Sequence, residues 1–488
     1  MEQIYNPYLP LNEYIPDGEP HVFGDRVYIY GSHDKEGGDY FCMLDYVTYS
    51  APIDNLKDWR YEGVIYKASQ DPDYVNHKYM YAPDVVEGND GRYYLFYSLA
   101  DRHECSFLMS VAVCDTPCGQ FEFLGYVRWP DGRPMQHGVI FDPGLINDNG
   151  HIYLYYGVWY DFDQNPRFTK ETTLETQINM FRKTREEILG TEGGVQGPFV
   201  VELCDDMLTV KDTPRHIFPT SFVGTPYFGH EFFEASSMRK IGNKYYFIYS
   251  TFNQHELAYA TSDYHDRDFE FGGVIISNGD IGYKGREPKD RLNRTGNNHG
   301  SIINIGGEWY VFYHRQTHKN DYSRQACAEK IKILDDGTIP QVEITSCGLN
   351  GGPLKACGTY PAVICCNLSN GKMVHGHCEN MVLPHIVYKN GERIIAEIDN
   401  GTLIGYKYFE FDRDVTLSIR YRSGQNEPKG KILVKIAENG DTAAEIDIKA
   451  QENWTTATVE LKGICGAYPL YFVYEGEGLC EIKEFFFE

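Results

Sequence analysis

Five times in this chain a glycine opens a short run of aromatic and branched residues: residues 24–32, 91–98, 150–157, 242–250 and 306–314. The second reads Gly91-Arg92-Tyr93-Tyr94-Leu95-Phe96-Tyr97-Ser98, and the fourth Gly242-Asn243-Lys244-Tyr245-Tyr246-Phe247-Ile248-Tyr249-Ser250. Such runs favour strands buried on both faces, and the glycine supplies a tight turn before each. The copies recur roughly every 60–90 residues, room for one small antiparallel sheet apiece, and radial repetition of such sheets builds a propeller. A second-order pattern agrees: the second run is followed by small residues, Ser110-Val111-Ala112-Val113, and then by Gly119 and Gly125. The chain is therefore expected to be all-β, with a five-bladed β-propeller in which each aromatic run is the inner strand of its blade.

The pattern breaks in two places. Residues 169–190, with Lys170-Glu171, Glu175 and several charges from Arg182 to Glu187, form the one polar, helix-compatible stretch of length. They fall in the longest interval and read as an insertion within blade three or four. The turn Asp336-Gly337-Thr338, after Lys330-Ile331-Lys332-Ile333-Leu334, is expected to end the propeller, which gives a domain of residues 1–340. A Cys/Gly-rich connector, 341–366, leads to alternating short strands such as Val415-Thr416-Leu417-Ser418-Ile419-Arg420-Tyr421. Residues 367–488 thus read as a β-sandwich.

Charge narrows the partners. The 488 residues include 70 acidic and 45 basic side chains, a net charge of −25, so nucleic acid and anionic membrane would be repelled. No apolar run approaches the ~18 residues of a membrane span. Aromatic residues make up 15 % of the chain; most suit strand packing, and a minority suits the flat face of a sugar ring. The 13 cysteines are scattered, and the pair Cys114 and Cys118 lacks a second pair at metal-site spacing. That argues against zinc and for free thiols in a reducing compartment. The start, Met1-Glu2-Gln3-Ile4-Tyr5-Asn6-Pro7, shows no basic-then-apolar signal, so a cytoplasmic location is expected.

Polar residues stand at nearly one register before the repeat glycines. Asp17 lies seven residues before Gly24, Asp84 seven before Gly91, Asp142 eight before Gly150, Glu234 eight before Gly242 and His299 seven before Gly306. Inner strands border a propeller's axis, so these five are expected to converge on one axial pocket. Paired carboxyl groups are what glycosidic bond hydrolysis needs: a protonated acid for the leaving oxygen, and a carboxylate that activates water or attacks carbon. A third carboxylate would keep the acid protonated by like-charge repulsion. Glu19 and Glu231 are rivals for the base and the acid. Trp159, just after the third aromatic run, is placed to form a stacking wall.

Asp17 ahead of Gly24-Asp25, Ala82-Pro83-Asp84, and Phe233-Glu234-Ala235-Ser236 ahead of Gly242 occur in the order and phase of a known family. With His299-Gly300-Ser301-Ile302 and Tyr313-His314-Arg315, they make residues 5 to about 340 resemble glycoside hydrolase family 43. The resemblance implies Asp17 as general base, Glu234 as general acid, and Asp84 as the residue that orients the acid and tunes its pKa. It implies inversion of the anomeric centre, with base and acid about 6.5–9.5 Å apart. Many members have Asp-Pro where this chain has Asp17-Gly18-Glu19-Pro20, which is why Glu19 stays a rival. Arg324 resembles a family arginine reaching into the sugar pocket. His299 resembles the axial histidine that holds a calcium ion or water, and waters would supply most of the ligands because calcium prefers oxygen; no cofactor is required for the chemistry. Residues 405–411, Trp454 and Gly476-Glu477-Gly478 resemble a family 6 carbohydrate-binding module; a purely structural buttress is the other reading. The expected activity is exo-acting release of terminal α-L-arabinofuranosyl or β-D-xylosyl units from plant arabinoxylan or arabinan fragments. An endo-acting arabinanase and a non-catalytic sugar-binding propeller are the alternatives.

Overall fold

The computed structural model describes residues 3–102, 105–137, 139–158, 178, 184–186, 197–219, 224–423 and 430–488. Trp159 and nearly all of the helix-compatible stretch 169–190 lie outside the described residues.

All five repeat glycines adopt the left-handed conformation, with φ of 63° at Gly24, 78° at Gly91, 88° at Gly150, 62° at Gly242 and 61° at Gly306. A β-carbon disfavours that geometry, so glycine is the residue that lets each hairpin close. Five antiparallel sheets follow among the described residues. The first holds β1 (Glu19–Phe23), β2 (Arg26–Tyr30), β3 (Tyr46–Pro52) and β4 (Arg60–Tyr66). The second holds β5 (Tyr79–Met80), β6 (Asp84–Glu87), β7 (Tyr93–Ala100), β8 (Cys105–Cys114) and β9 (Glu122–Tyr126). In the third are β10 (Gly144–Asp148), β11 (His151–Tyr156), β12 (Phe199–Leu203) and β13 (Arg215–His216). The fourth comprises β14 (Phe232–Ile241), β15 (Lys244–Thr251), β16 (Glu256–Ser262) and β17 (Glu270–Ser277), and the fifth β18 (Ser301–Ile305), β19 (Glu308–Gln316) and β20 (Arg324–Ile331).

The aromatic runs β2, β7, β11, β15 and β19 are the second strands of their blades, not the innermost as the sequence suggested. A second strand has sheet neighbours on both edges and an adjoining blade against each face, so it can be apolar throughout. Phe96, Leu154 and Tyr156, all buried, share one such inter-blade core. The axis is ringed instead by β1, β6, β10, β14 and β18, which pack on one another. They approach so closely that a β-carbon on Gly144 would lie 2.2 Å from the Ser236 carbonyl oxygen.

The N-terminal segment fastens the ring by lying against β20. The Asn6 side chain donates to the Ala328 carbonyl (3.0 Å) and accepts from the Ala328 N–H (3.1 Å), and the Tyr8 N–H donates to the Ala326 carbonyl (3.3 Å). Tyr8 also packs on Trp59 of blade one and Phe312 of blade five.

Beyond the propeller, two six-stranded sheets enclose a core rich in Tyr406, Phe409, Phe472, Phe485 and Phe487. One sheet includes Leu403–Phe411, Gly466–Gly476 and Gly430–Lys435; the other includes Glu392–Ile398, Cys480–Phe487 and Val415–Ser423. The sandwich begins inside the expected connector, because Leu354–Lys355 pairs with Leu403–Phe411 and Gly358–Pro361 pairs with Cys480–Phe487. It is tightly docked on the propeller. Lys407, 3 % exposed, donates to Asp280 (2.8 Å) and Glu343 (3.1 Å), and Arg315 donates to the carbonyls of Val363 and Cys365, each at 2.7 Å. No described helix is long and apolar enough to cross a membrane.

Candidate active site

A pocket of about 270 Å³ opens at one end of the propeller axis. Asp17, Asp142, Glu234 and His299 reach it from four blades, with Arg324 beside them. Tyr40, Phe41, Tyr81, Phe141 and Phe233 supply aromatic walls, and Gln254, Asn297 and Asp321 complete the rim.

Asp17, 4 % exposed, precedes β1 by two residues in a left-handed turn (φ 59°). One Nη of Arg324 donates to its Oδ1 at 2.9 Å. Asp34 holds the rest of that guanidinium, accepting from Nε at 2.8 Å and from the other Nη at 3.0 Å. Burial alone would raise the pKa of Asp17, but the Arg324 charge and the contact with His314 together outweigh it and hold the carboxyl well below the usual range. Asp17 is therefore an ionised carboxylate at any neutral pH.

Glu234 lies in a bulged stretch of β14, where pairing with β15 slips on either side of it and Ala235 takes a φ of 69°. A bulge re-aims a side chain out of the regular alternation. Burial, and then the negative charge of Asp17, push the Glu234 carboxyl up to about 8. Asp142 sits just behind: its Oδ2 accepts the Ala235 N–H at 3.1 Å. Burial, with Glu234 and Asp17 adding to it, raises the pKa of Asp142 as well. Two adjacent buried carboxyls beside a permanent carboxylate cannot both ionise near neutrality, so the pair retains a proton.

Asp84 does not reach this pocket, contrary to the role expected for it. It is fully buried further along the axis, where Oδ1 lies 2.6 Å from His21 Nε2 and Oδ2 accepts the Leu145 N–H at 2.6 Å. The cause is a loop length. Two-residue turns join the paired strands of blades one, three, four and five, but residues 88–92 separate Glu87 from its partner Tyr93 in blade two. Counting back from the hairpin rather than from the glycine, the blade-two counterpart of Asp17 is Tyr81, which does line the pocket, and Asp142 is the third acid. The rivals are also elsewhere. Glu19 is salt-bridged to Arg239 at 2.8 Å, and Glu231 accepts the Gly229 N–H at 2.8 Å.

His299 reaches the pocket from the residues just ahead of β18. Burial lowers its pKa to about 4, so its imidazole is neutral. Its Nε2, the Ser236 hydroxyl and Oε1 of Glu19 are buried on the axial strands without a hydrogen-bond partner among the described residues. A neutral imidazole nitrogen left without a partner can face a water, or a cation held through waters.

A carboxylate held ionised opposite a carboxyl held protonated, at the axis of a five-bladed propeller, is the equipment of a glycoside hydrolase. The comparisons with known proteins agree. Residues 12–339 match the glycosyl hydrolases family 43, and the chain belongs to that family. A xylosidase/arabinosidase of Thermoclostridium stercorarium is 42 % identical over 502 residues, spanning 99 % of this chain and 98 % of that protein. A family 43 β-xylosidase/α-arabinofuranosidase from a compost microbial metagenome, solved with xylotriose in a calcium-free form, is 26 % identical. It covers 68 % of this chain and 96 % of its own, with a TM-score of 0.50. The arabinoxylan arabinofuranohydrolase of Bacillus subtilis, solved with cellotetraose, shares the fold across 99 % of this chain and 97 % of its own (TM-score 0.50, 20 % identity).

Proposed function

We propose that the enzyme is an inverting exo-glycosidase that removes terminal β-D-xylosyl or α-L-arabinofuranosyl units from arabinoxylan- or arabinan-type oligosaccharides. What carries this is the opposite protonation of Asp17 and Glu234 in one confined pocket. The xylosidase/arabinosidase name of the relative from T. stercorarium, alike along its whole length, supports the choice of sugars.

In this reading a terminal sugar enters the pocket with its scissile oxygen at Glu234. Asp17, oriented and kept ionised by Arg324, takes a proton from a water as that water attacks the anomeric carbon. Glu234 gives its proton to the departing oxygen, and the sugar leaves with inverted configuration. Asp142 keeps that acid protonated and fixes the bulge that aims it. Tyr40, Phe41 and Phe233 offer ring faces for the sugar and displace water from it. His299 would hold a calcium ion largely through waters, and the ion would supply positive charge to the site.

Among the described residues, two of the partly exposed rings of the sandwich, Tyr388 and Trp454, are each covered by a guanidinium, Arg393 at 4.8 Å and Arg422 at 4.5 Å. The docking of the sandwich on the propeller through Lys407 and Arg315 favours a buttress over a sugar-binding module.

The test is release of p-nitrophenol from the α-L-arabinofuranoside and the β-D-xyloside by the wild type and by Asp17→Ala. Activity on either, lost in the variant, is the expected result. Silence on both, with cleavage inside linear arabinan, would replace this reading by the endo-acting one.

A further inference from the structure

The residues that line the pocket all belong to the propeller, but two of them, Gln254 and Asp321, are braced by residues that follow it. Residues 373–378, which precede most of the sandwich strands, cross the propeller surface beside the pocket. The Thr295 N–H donates to the Val374 carbonyl at 3.1 Å, and the Gly376 N–H donates to the Thr295 carbonyl at 2.7 Å. Arg294 donates both to the Gly376 carbonyl (2.9 Å) and to Oδ1 of Asp321 (2.6 Å), a rim residue.

His375, in the middle of this crossing, ends a chain of directed hydrogen bonds. Arg291 Nη1 donates to the Thr295 hydroxyl at 2.9 Å, and that hydroxyl stands 3.1 Å from Nδ1 of His375. Oε1 of Gln254, which can only accept, stands 3.0 Å from Nε2 of His375, so the ring proton belongs on Nε2 and Nδ1 accepts from the Thr295 hydroxyl. With Oε1 engaged by His375, the NH₂ group of Gln254, with two donors, is left for the pocket that this residue lines. Gln254 itself occupies a left-handed turn (φ 64°) between β15 and β16, a conformation that a residue with a β-carbon holds only under local constraint.

We infer that the C-terminal unit braces the sugar site: His375 is a positioning residue that fixes Gln254, whose amide donates to a hydroxyl of the bound sugar. The inference rests on the pocket being the glycosyl site. Gln254 binds ground state and transition state alike, so its loss raises KM and leaves kcat nearly unchanged.

The experiment is steady-state kinetics on p-nitrophenyl β-D-xyloside, with His375→Ala, His375→Gln, Gln254→Ala and the double alanine variant. For one lost hydrogen bond, His375→Ala and Gln254→Ala should each raise KM by roughly three- to tenfold. His375→Gln, which keeps a donor for Gln254, should recover most of the loss. The double variant should be no worse than Gln254→Ala alone, because both changes cut one path. Multiplying losses in the double variant, a fall in kcat at constant KM, or no recovery with glutamine would overturn the proposal. Full turnover by Glu234→Gln on xylobiose would show instead that the pocket itself has been misread.

Discussion

Replacing Glu234 by glutamine keeps the shape of the side chain and removes its transferable proton. At pH 6.5 a glutamic acid with the ordinary value of 4.5 is only about 1 % protonated, whereas one raised to about 8 is about 97 % protonated. The pocket therefore multiplies the acid form nearly a hundredfold, and a positioned general acid contributes about 10²–10⁴ in rate. For xylobiose, whose leaving alkoxide needs a proton, kcat should fall by about 10³–10⁴ in the variant. For p-nitrophenyl β-D-xyloside, whose leaving group departs as a stable phenolate, the fall should be on the order of tenfold. The sign of the pH effect follows from the same proton: the active form is the protonated one, so wild-type kcat/KM on xylobiose declines as pH rises through about 8. The variant should lack that limb. Initial rates of xylose release between pH 5 and 9.5 measure both effects. Equal losses on the two substrates, or an alkaline limb that survives in the variant, would refute the general-acid assignment.

Asp142→Asn should move the alkaline limb of kcat/KM toward lower pH, because it removes the second carboxyl that crowds Glu234, while Asp84→Asn should leave the limb in place; pH–rate profiles of the two variants decide between them. Lys407→Ala leaves Asp280 buried without its cation at the junction of propeller and sandwich. Urea unfolding should show a loss of about 3–5 kcal/mol.

The propeller was legible because its signal is local and repeated: five glycines that need left-handed turns, each followed by a strand buried on both faces. The order of strands within a blade was not legible, since an aromatic run has no mark that distinguishes second from first. Asp17, Glu234 and His299 follow from register, and the same counting failed at Asp84 because the longer hairpin at residues 88–92 slides blade two along the axis. Asp142 stood in register all along, and the resemblance drew attention to the wrong member of the five. Gln254 and Asp321 reach the pocket, and Asp34 reaches Arg324, from loops whose course is set by tertiary contacts, so no period in the sequence points to them. Arg324 was found, but its hold on Asp17 and Asp34 together appears only once the N-terminal residues and β20 lie side by side.

The central claim is that Asp17 acts on a water opposite Glu234, and the configuration of the first product tests it most directly. Proton NMR of xylobiose hydrolysis, recorded before mutarotation equilibrates the sugar, should show α-xylopyranose from the newly released non-reducing end accumulating first. Initial accumulation of the β-anomer there would mean a covalent glycosyl intermediate and would contradict the assignment of Asp17 as general base.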